Sequence, residues 1–184
     1  MSPFTKLLWL KEDQPELLKK TAYVADIKSY LFKHFFDEFK VDISVASCSG
    51  MWNINTRTWD EQALAMTDIA AVQLPEIVDS TQQAHGLTAA GQMALQIPAD
   101  TPFVYGAFGG AASNIGMGAV DESTAAIAIG TSAAVRVMTD HPVIDPQQRL
   151  FCYALDEEHW VIGGPLNNGG DVYQWAVKHL VDAN

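Results

Sequence analysis

An α/β fold is predicted by three features of the 184-residue sequence: helical periodicity through its first third, a strand–glycine turn–helix step near Phe103, and β-rich hairpins between Ala125 and Ile162. Apolar residues make up 48% and charged residues 18%, which supplies a core and excludes disordered, collagenous and coiled-coil chains. The length suits about one domain. Eleven Lys and Arg against 22 Asp and Glu give a net charge of −11, and the cations do not cluster. Neither nucleic acid nor an anionic membrane is therefore an expected partner.

Thr5–Leu10 enters an amphipathic pattern at once, and Asp13 and Pro15 mark the start of a second helical stretch with Leu17, Leu18 and Ala22. A helix is predicted from about Asp26 to Phe39, with Ile27, Tyr30, Leu31, His34, Phe35 and Phe39 on one face and His34 as a half-buried structural residue. Residues Asp42–Trp59, rich in Ser, Asn and Thr, predict a loop with a short strand. Asp60 and Glu61 open a helix over Gln62–Ile69, acids where the helix dipole favours them. Phe103-Val104-Tyr105 is a strand that breaks into Gly106, Gly109 and Gly110 and then into a small-residue helix. Ala125–Ile129 and Ala133–Val137 form a hairpin hinged on Gly130-Thr131-Ser132. Leu150–Ala154 and His159–Ile162 form another across Asp156-Glu157-Glu158, and the loop Gly163–Gly170 leads into a last helix. Both ends look interrupted, with helical patterns that start or stop without packing partners.

No run approaches eighteen uncharged apolar residues, and the opening residues lack the basic-then-apolar order of a secretory signal. Cys48 and Cys152 stand in no CxxC or Cys/His metal spacing, so they are read as small buried residues in a reducing, cytoplasmic setting. The turns at Gly106–Gly110 and Gly130–Ser132 match neither a P-loop nor a full GxGxxG. Together with Gly163–Gly170 they place three glycine loops after strands, where ligands of open α/β sheets collect. No GxSxG, HExxH or cysteine–histidine pairing supports a hydrolase or zinc enzyme. The histidines His85, His141, His159 and His179 are scattered surface or turn residues. Trp52, Trp59, Trp160 and Trp175 read as core residues, with stacking on a sugar or purine as the other use.

Seven ordered blocks resemble the FGGY carbohydrate kinases: Lys6-Leu7-Leu8-Trp9-Leu10, Asp42–Ser47, Trp59-Asp60, Leu74-Pro75-Glu76-Ile77, Thr101–Val104, Ile129–Ser132 and Gly163–Trp175. Met1-Ser2-Pro3 and the loop Gly163-Gly164-Pro165-Leu166-Asn167-Asn168-Gly169-Gly170 look most similar to gluconate kinases. The resemblance implies an actin-like, ribonuclease-H-like ATPase fold truncated at both ends. Residues 1–120 would be the later part of the first lobe and 121–184 the start of the second. It implies ATP-dependent phosphorylation of a sugar or sugar acid, with ATP and Mg2+ as cofactors. Thr131, Gly130, Gly170 and Gln174 would line the nucleotide phosphates. No residue here would hold the metal, because the family's Asp-x-Gly-Thr-Thr phosphate loop and its later adenosine motif have no counterpart in the sequence. One departure stands out. The family places an aspartate base in the turn after the Pro-x-Val strand, within Gly-Ala-Ser-Asp-Gly-Ala, whereas this chain reads Gly106-Ala107-Phe108-Gly109-Gly110-Ala111. Gly109 holds the base position, and losing a general base costs about 10²- to 10⁴-fold in rate. Asp100, Asp121 and Glu122 are no substitutes by position. Three readings are open: an impaired sugar kinase segment, a non-catalytic sugar- or nucleotide-binding module, or an unrelated nucleotide-binding domain. Marginal stability or self-association is expected, because apolar faces such as those of Phe35 and Trp175 would lack partners.

Overall fold

The computed structural model describes residues 2–181 and divides into two units, Met1–Ala107 and Phe108–Asn184. In the first unit, α1 (Pro3–Asp13) and α2 (Pro15–Lys20) each begin with a proline, whose missing N–H costs nothing there. Helix α3 (Ile27–Phe36) starts at Asp26, whose carboxylate accepts from the amides of Lys28 and Ser29 at 2.8 and 3.2 Å. Strand β1 (Lys40–Asp42) comes next, then α4 (Ile43–Ser47), capped by Asp42 through the Val45 amide at 2.9 Å. Strands β2 (Trp52–Asn53) and β3 (Thr58–Trp59) form a small hairpin before α5 (Glu61–Thr67), which Asp60 caps. Strand β4 (Glu76–Val78) pairs in parallel with β1, placing Asp42 opposite Val78. Strand β5 (Gln83–Ala84), α6 (Ala89–Leu95) and β6 (Phe103–Val104) complete the unit, β5 and β6 being antiparallel. Two apolar clusters hold it together, one around Leu7, Met51 and Leu74 and one around Phe32, Phe36 and Tyr105.

The structure corrects several expectations. Helix α3 ends at Phe36, three residues early, where Asp37 takes a left-handed conformation (φ 60°). Its buried face is Ser29, Phe32 and Phe36, while Ile27, Tyr30 and Leu31 are exposed and His34 lies on the surface stacked on Tyr30. Apolar residues lie all around this helix, so periodicity does not select the inward face; contact with Phe103 and Tyr105 does. Phe35 does have partners, packing at the margin of the second cluster. The segment Asp42–Trp59, expected as a loop with a short strand, holds two short strands, but it also contains the end of β1 and helix α4, which the buried Asp42 caps. Both cysteines are half-buried; burial pushes the Cys48 thiol up to about 12 and also raises Cys152.

The second unit opens with α7 (Gly109–Gly116), followed by β7 (Ala125–Ile129), β8 (Ala133–Thr139), β9 (Phe151–Ala154), β10 (Trp160–Leu166) and α8 (Gly170–Leu180). The strands form one antiparallel sheet in the order β7-β8-β10-β9. Both predicted hairpins are present, but β10 extends through Gly163-Gly164-Pro165-Leu166, where the glycine run predicts a loop. Strand β9 pairs with β10 only as far as Gly163, so Pro165 lies where β10 has a single neighbour and a missing N–H is tolerated. Trp160 is buried, Trp52 and Trp59 are half-buried, and Trp175 is 56% exposed on α8, a helix without a buried residue. Among the described residues no helix is long and apolar enough to cross a membrane.

Asp42 is completely buried and pairs with Lys28, whose ammonium also donates to the Tyr105 carbonyl at 2.8 Å. Burial raises the Asp42 pKa, against the pull of Lys28. The folded state thus holds its proton more readily than the unfolded chain, so the carboxyl group's contribution to stability declines as pH rises through that raised value. Removing one member of a buried pair strands the other charge, at a cost of about 3 kcal/mol. Lys28→Met should lower unfolding free energy by about that much in urea titrations, with a steeper loss as pH rises, and Lys28→Met combined with Asp42→Leu should recover part of it.

Candidate functional site

Candidate chemistry falls at two glycine turns, and the structure gives each a distinct geometry. At the end of β6, Tyr105 is buried and stacked on Phe32 with ring centroids 4.1 Å apart. Its amide donates to the Gln82 carbonyl at 3.0 Å and its hydroxyl to Glu38 at 3.0 Å. Burial raises the Glu38 pKa, but hydrogen bonds from Lys40 and Tyr105 outweigh it and hold the carboxylate below its usual range. Gly106 then takes φ +68°, which suits glycine, with its amide bonded to the Ser80 carbonyl at 2.8 Å.

Gly109 and Gly110 open α7 in the second unit. A Cβ on Gly109 would meet nothing within 4 Å, so the position accepts a larger side chain without collision. On Gly110 it would come 2.5 Å from the Phe108 ring and 3.1 Å from Arg136 Nε. Phe108 in turn packs edge-on against Tyr153.

At the tip of the β7–β8 hairpin, the Gly130 carbonyl accepts from the Gly170 amide at 2.7 Å and the Thr131 carbonyl accepts from the Gly169 amide at 3.0 Å. This backbone junction leaves no room for side chains: a Cβ on Gly169 would lie 2.9 Å from the Ser132 and Gly130 carbonyl oxygens, and one on Gly170 would lie 2.9 Å from the latter. Gly130, Thr131 and Gly170 are thus brought together, and Gln174 stands one helical turn along α8. Thr131 and Gln174 are exposed. The Gly169 and Gly170 amides are spent on the hairpin, which leaves the Thr131 hydroxyl and the Gln174 carboxamide as side-chain donors; Asp171 adds a negative charge in the same helical turn. Gly109 lies on α7, apart in sequence from this junction, and α7 packs on β7 and β8. Arg136, a cation in the middle of the apolar strand β8, belongs to no motif that sequence reasoning singles out; its one signal is a lone charge between Val135 and Val137.

A four-stranded antiparallel sheet with flanking helices in one unit, and a parallel strand pair among helices in the other, fit an actin-like ATPase fold of the sugar-kinase class. The sequence model for the FGGY family of carbohydrate kinases, N-terminal domain, matches residues 1–116, and the chain belongs to that family. It is 43% identical over 175 residues to a gluconokinase of Bacillus licheniformis, covering 95% of this chain and 34% of that protein. It is 40% identical to the gluconokinase of Bacillus subtilis (strain 168) over the same shares. The solved gluconate kinase from Lactobacillus acidophilus superposes with a TM-score of 0.93 at 37% identity, covering 100% of this chain and 37% of that one. A ligand-bound xylulose kinase from Lactobacillus acidophilus also gives 0.93, at 36% identity over 98% of this chain and 37% of that one. The chain spans about a third of the length of these relatives.

The contrast between the glycines is measurable. Gly169→Ala should cost about 1–3 kcal/mol in denaturant unfolding, because the methyl group displaces the hairpin tip. Gly109→Ala should be neutral or stabilising by up to about 1 kcal/mol, since it adds helix propensity in open space.

Proposed function

We propose that the chain is a segment of an ATP-dependent kinase acting on a sugar or a sugar acid of the gluconate kind, with catalysis impaired by the glycine at the base position. The observation that carries this reading is the likeness to gluconate kinases over 95–100% of the chain, at 37–43% identity. The reading takes residues to about Val120 as the end of the first lobe and 121–184 as the start of the second; the family match ends at residue 116, and the two compact units divide at Ala107 and Phe108. It also takes the setting as cytoplasmic, with neither nucleic acid nor a membrane as partner.

The hairpin–helix junction suits a nucleotide phosphate in part. Gly130 and Gly170 hold the hairpin tip against the start of α8, and the Thr131 hydroxyl and Gln174 carboxamide are the exposed donors beside that junction. When bound, MgATP would supply the transferable phosphoryl group and a divalent charge that offsets the negative charge developing on it. No described residue of this chain is assigned to the metal. A carboxylate at position 109 would accept the proton of the attacking hydroxyl. Glycine cannot, and Gly109 has the open space that such a carboxylate would fill. The same observation favours a second reading, a module that binds sugar or nucleotide without turnover.

A coupled ADP-release assay with gluconate and pentuloses tests the first reading. The chain should show no sugar-dependent turnover above about 0.1 s⁻¹, well below the ordinary range for enzymes. In a chimera that takes the remaining length from the Bacillus licheniformis gluconokinase, Gly109→Asp should raise kcat about 100-fold or more with little change in KM, because proton acceptance acts in the transition state. Equal turnover with and without the substitution would place the base elsewhere. Exposed Tyr173, Trp175 and Leu180 on α8 support self-association, and light scattering should show mass rising above the 20.1 kDa monomer with concentration.

A further inference from the structure

We infer that the outer edge of β7 is a self-complementary contact, at which a second copy of this chain adds its own β7 in antiparallel register to make one eight-stranded sheet. The inference rests on the self-association proposed above and names its contact; it does not depend on whether the chain turns a sugar over. Strand β7 ends the four-stranded sheet, and among the described residues only β8 pairs with it. The Gly130 amide donates to the Ser132 carbonyl at 2.8 Å, which makes these two a hydrogen-bonded pair. On β8 the Val135 carbonyl faces β10, since a Cβ on Gly163 would lie 2.4 Å from it. Bonded and non-bonded pairs alternate along an antiparallel ladder. Ala126 and Ala128 therefore spend their backbone groups on Arg136 and Ala134, while Ala125, Ile127 and Ile129 aim theirs at the open side.

Soluble proteins protect a sheet edge with a charge, a proline or a bulge. The strand Ala125-Ala126-Ile127-Ala128-Ile129 has no charge and no proline, and its register with β8 runs without a bulge. Ile127 and Ile129 are 59% and 69% exposed, on the same sheet face as Val135 and Leu166, which are 39% and 53% exposed. An apolar strip thus continues inward from the open edge. A second copy fits both features. A two-fold axis through Ile127 sets that residue opposite its own counterpart and Ala125 opposite Ile129, so the outward backbone groups of all three residues find partners on both copies. The paired strands bring no charged side chain together, which spares two chains of net charge −11 a like-charge contact there. The exposed face of α8 supplies apolar area only, because a helix bonds its backbone groups internally and leaves no row of donors and acceptors to set a register. Isologous pairing closes after two copies, and five residues a side make a small interface, so the dimer is weak.

The test follows the 184-residue chain by sedimentation velocity from about 5 to 500 µM, a range that spans weak contacts, with circular dichroism to verify folding. The wild type should move from monomer toward dimer and stop there. Ile127→Pro removes an N–H that β8 does not use, and Ile127→Lys sets two ammonium groups against each other across the two-fold axis; each should weaken association about tenfold or more. Trp175→Ser on α8 should leave the dimer unchanged. Hydrogen exchange on the wild type decides even if the β7 variants do not fold. The Ile127 and Ile129 amides should slow about tenfold or more between the lowest and highest concentration, while those of Ala126 and Ala128, bonded within the chain, are protected at both. Exchange at Ile127 and Ile129 that ignores concentration, or association that survives both Ile127 variants, overturns the inference and leaves self-association standing through another surface. Loss of association in Trp175→Ser alone moves the contact to α8 and overturns it likewise. Mass that climbs past the dimer shows open association and refutes the two-fold pairing. A monomer at every concentration removes the self-association itself, and the inference falls with it.

Discussion

Asp42 sets the terms of the first unit. A carboxylate with no exposed surface needs a cation and hydrogen-bond donors, and each partner it recruits comes from a different element. Lys28 comes from α3, the Val45 amide from the first turn of α4, and Lys28 in turn holds the carbonyl at the end of β6. One buried charge thereby ties α3, β1, α4 and β6 together. Apolar packing of Phe32 against Tyr105 supplies area at the same spot, but area alone does not specify which residue after β6 must stop there. Tyr105 is fixed at its amide, its carbonyl and its hydroxyl, so the strand ends in one defined conformation.

The second unit depends on contact of another kind. Its hairpin tip and last helix meet backbone to backbone, and Gly169 and Gly170 are required because carbonyl oxygens occupy the places where side chains would begin. Loops that look open in a glycine-rich sequence are here packed backbone to backbone. The same logic explains why the run Gly163–Leu166 is strand and not loop. A Cβ at Gly163 would lie 2.4 Å from the Val135 carbonyl oxygen, so glycine there serves sheet packing and not a turn.

Much of this is legible in the sequence, and the rest is hidden for identifiable reasons. The β7–β8 hairpin, the β9–β10 hairpin, the β6-to-α7 step and the Asp26 and Asp60 helix starts all have local signals, and local signals suffice. The buried face of α3 has none, because Ile27, Tyr30 and Leu31 are as apolar as Phe32 and Phe36, and only the distant Phe103 and Tyr105 choose between them. The parallel β1–β4 pair is three residues long on each side and has 33 residues between its strands, so nothing nearby announces it. Among the candidate site residues, Gly130, Thr131 and Gly170 meet at one backbone junction. Arg136 is silent in the sequence because a single cation in a strand carries no motif; its packing over Gly110 and Gly163 appears only in the structure.

The charge balance at the start of α7 joins these observations. A family aspartate at position 109 would stand near an arginine that reaches the neighbouring Gly110, and the two opposite charges would moderate one another. With glycine at 109 no carboxylate at that position opposes the Arg136 charge. The proton of an attacking hydroxyl still needs an acceptor within hydrogen-bond reach. Under the proposed reading, glycine at 109 removes the proton acceptor and leaves the arginine beside Gly110 without an opposing carboxylate. The proposed kinase and binding-module readings thus share position 109 and differ only in whether a bound ligand is turned over.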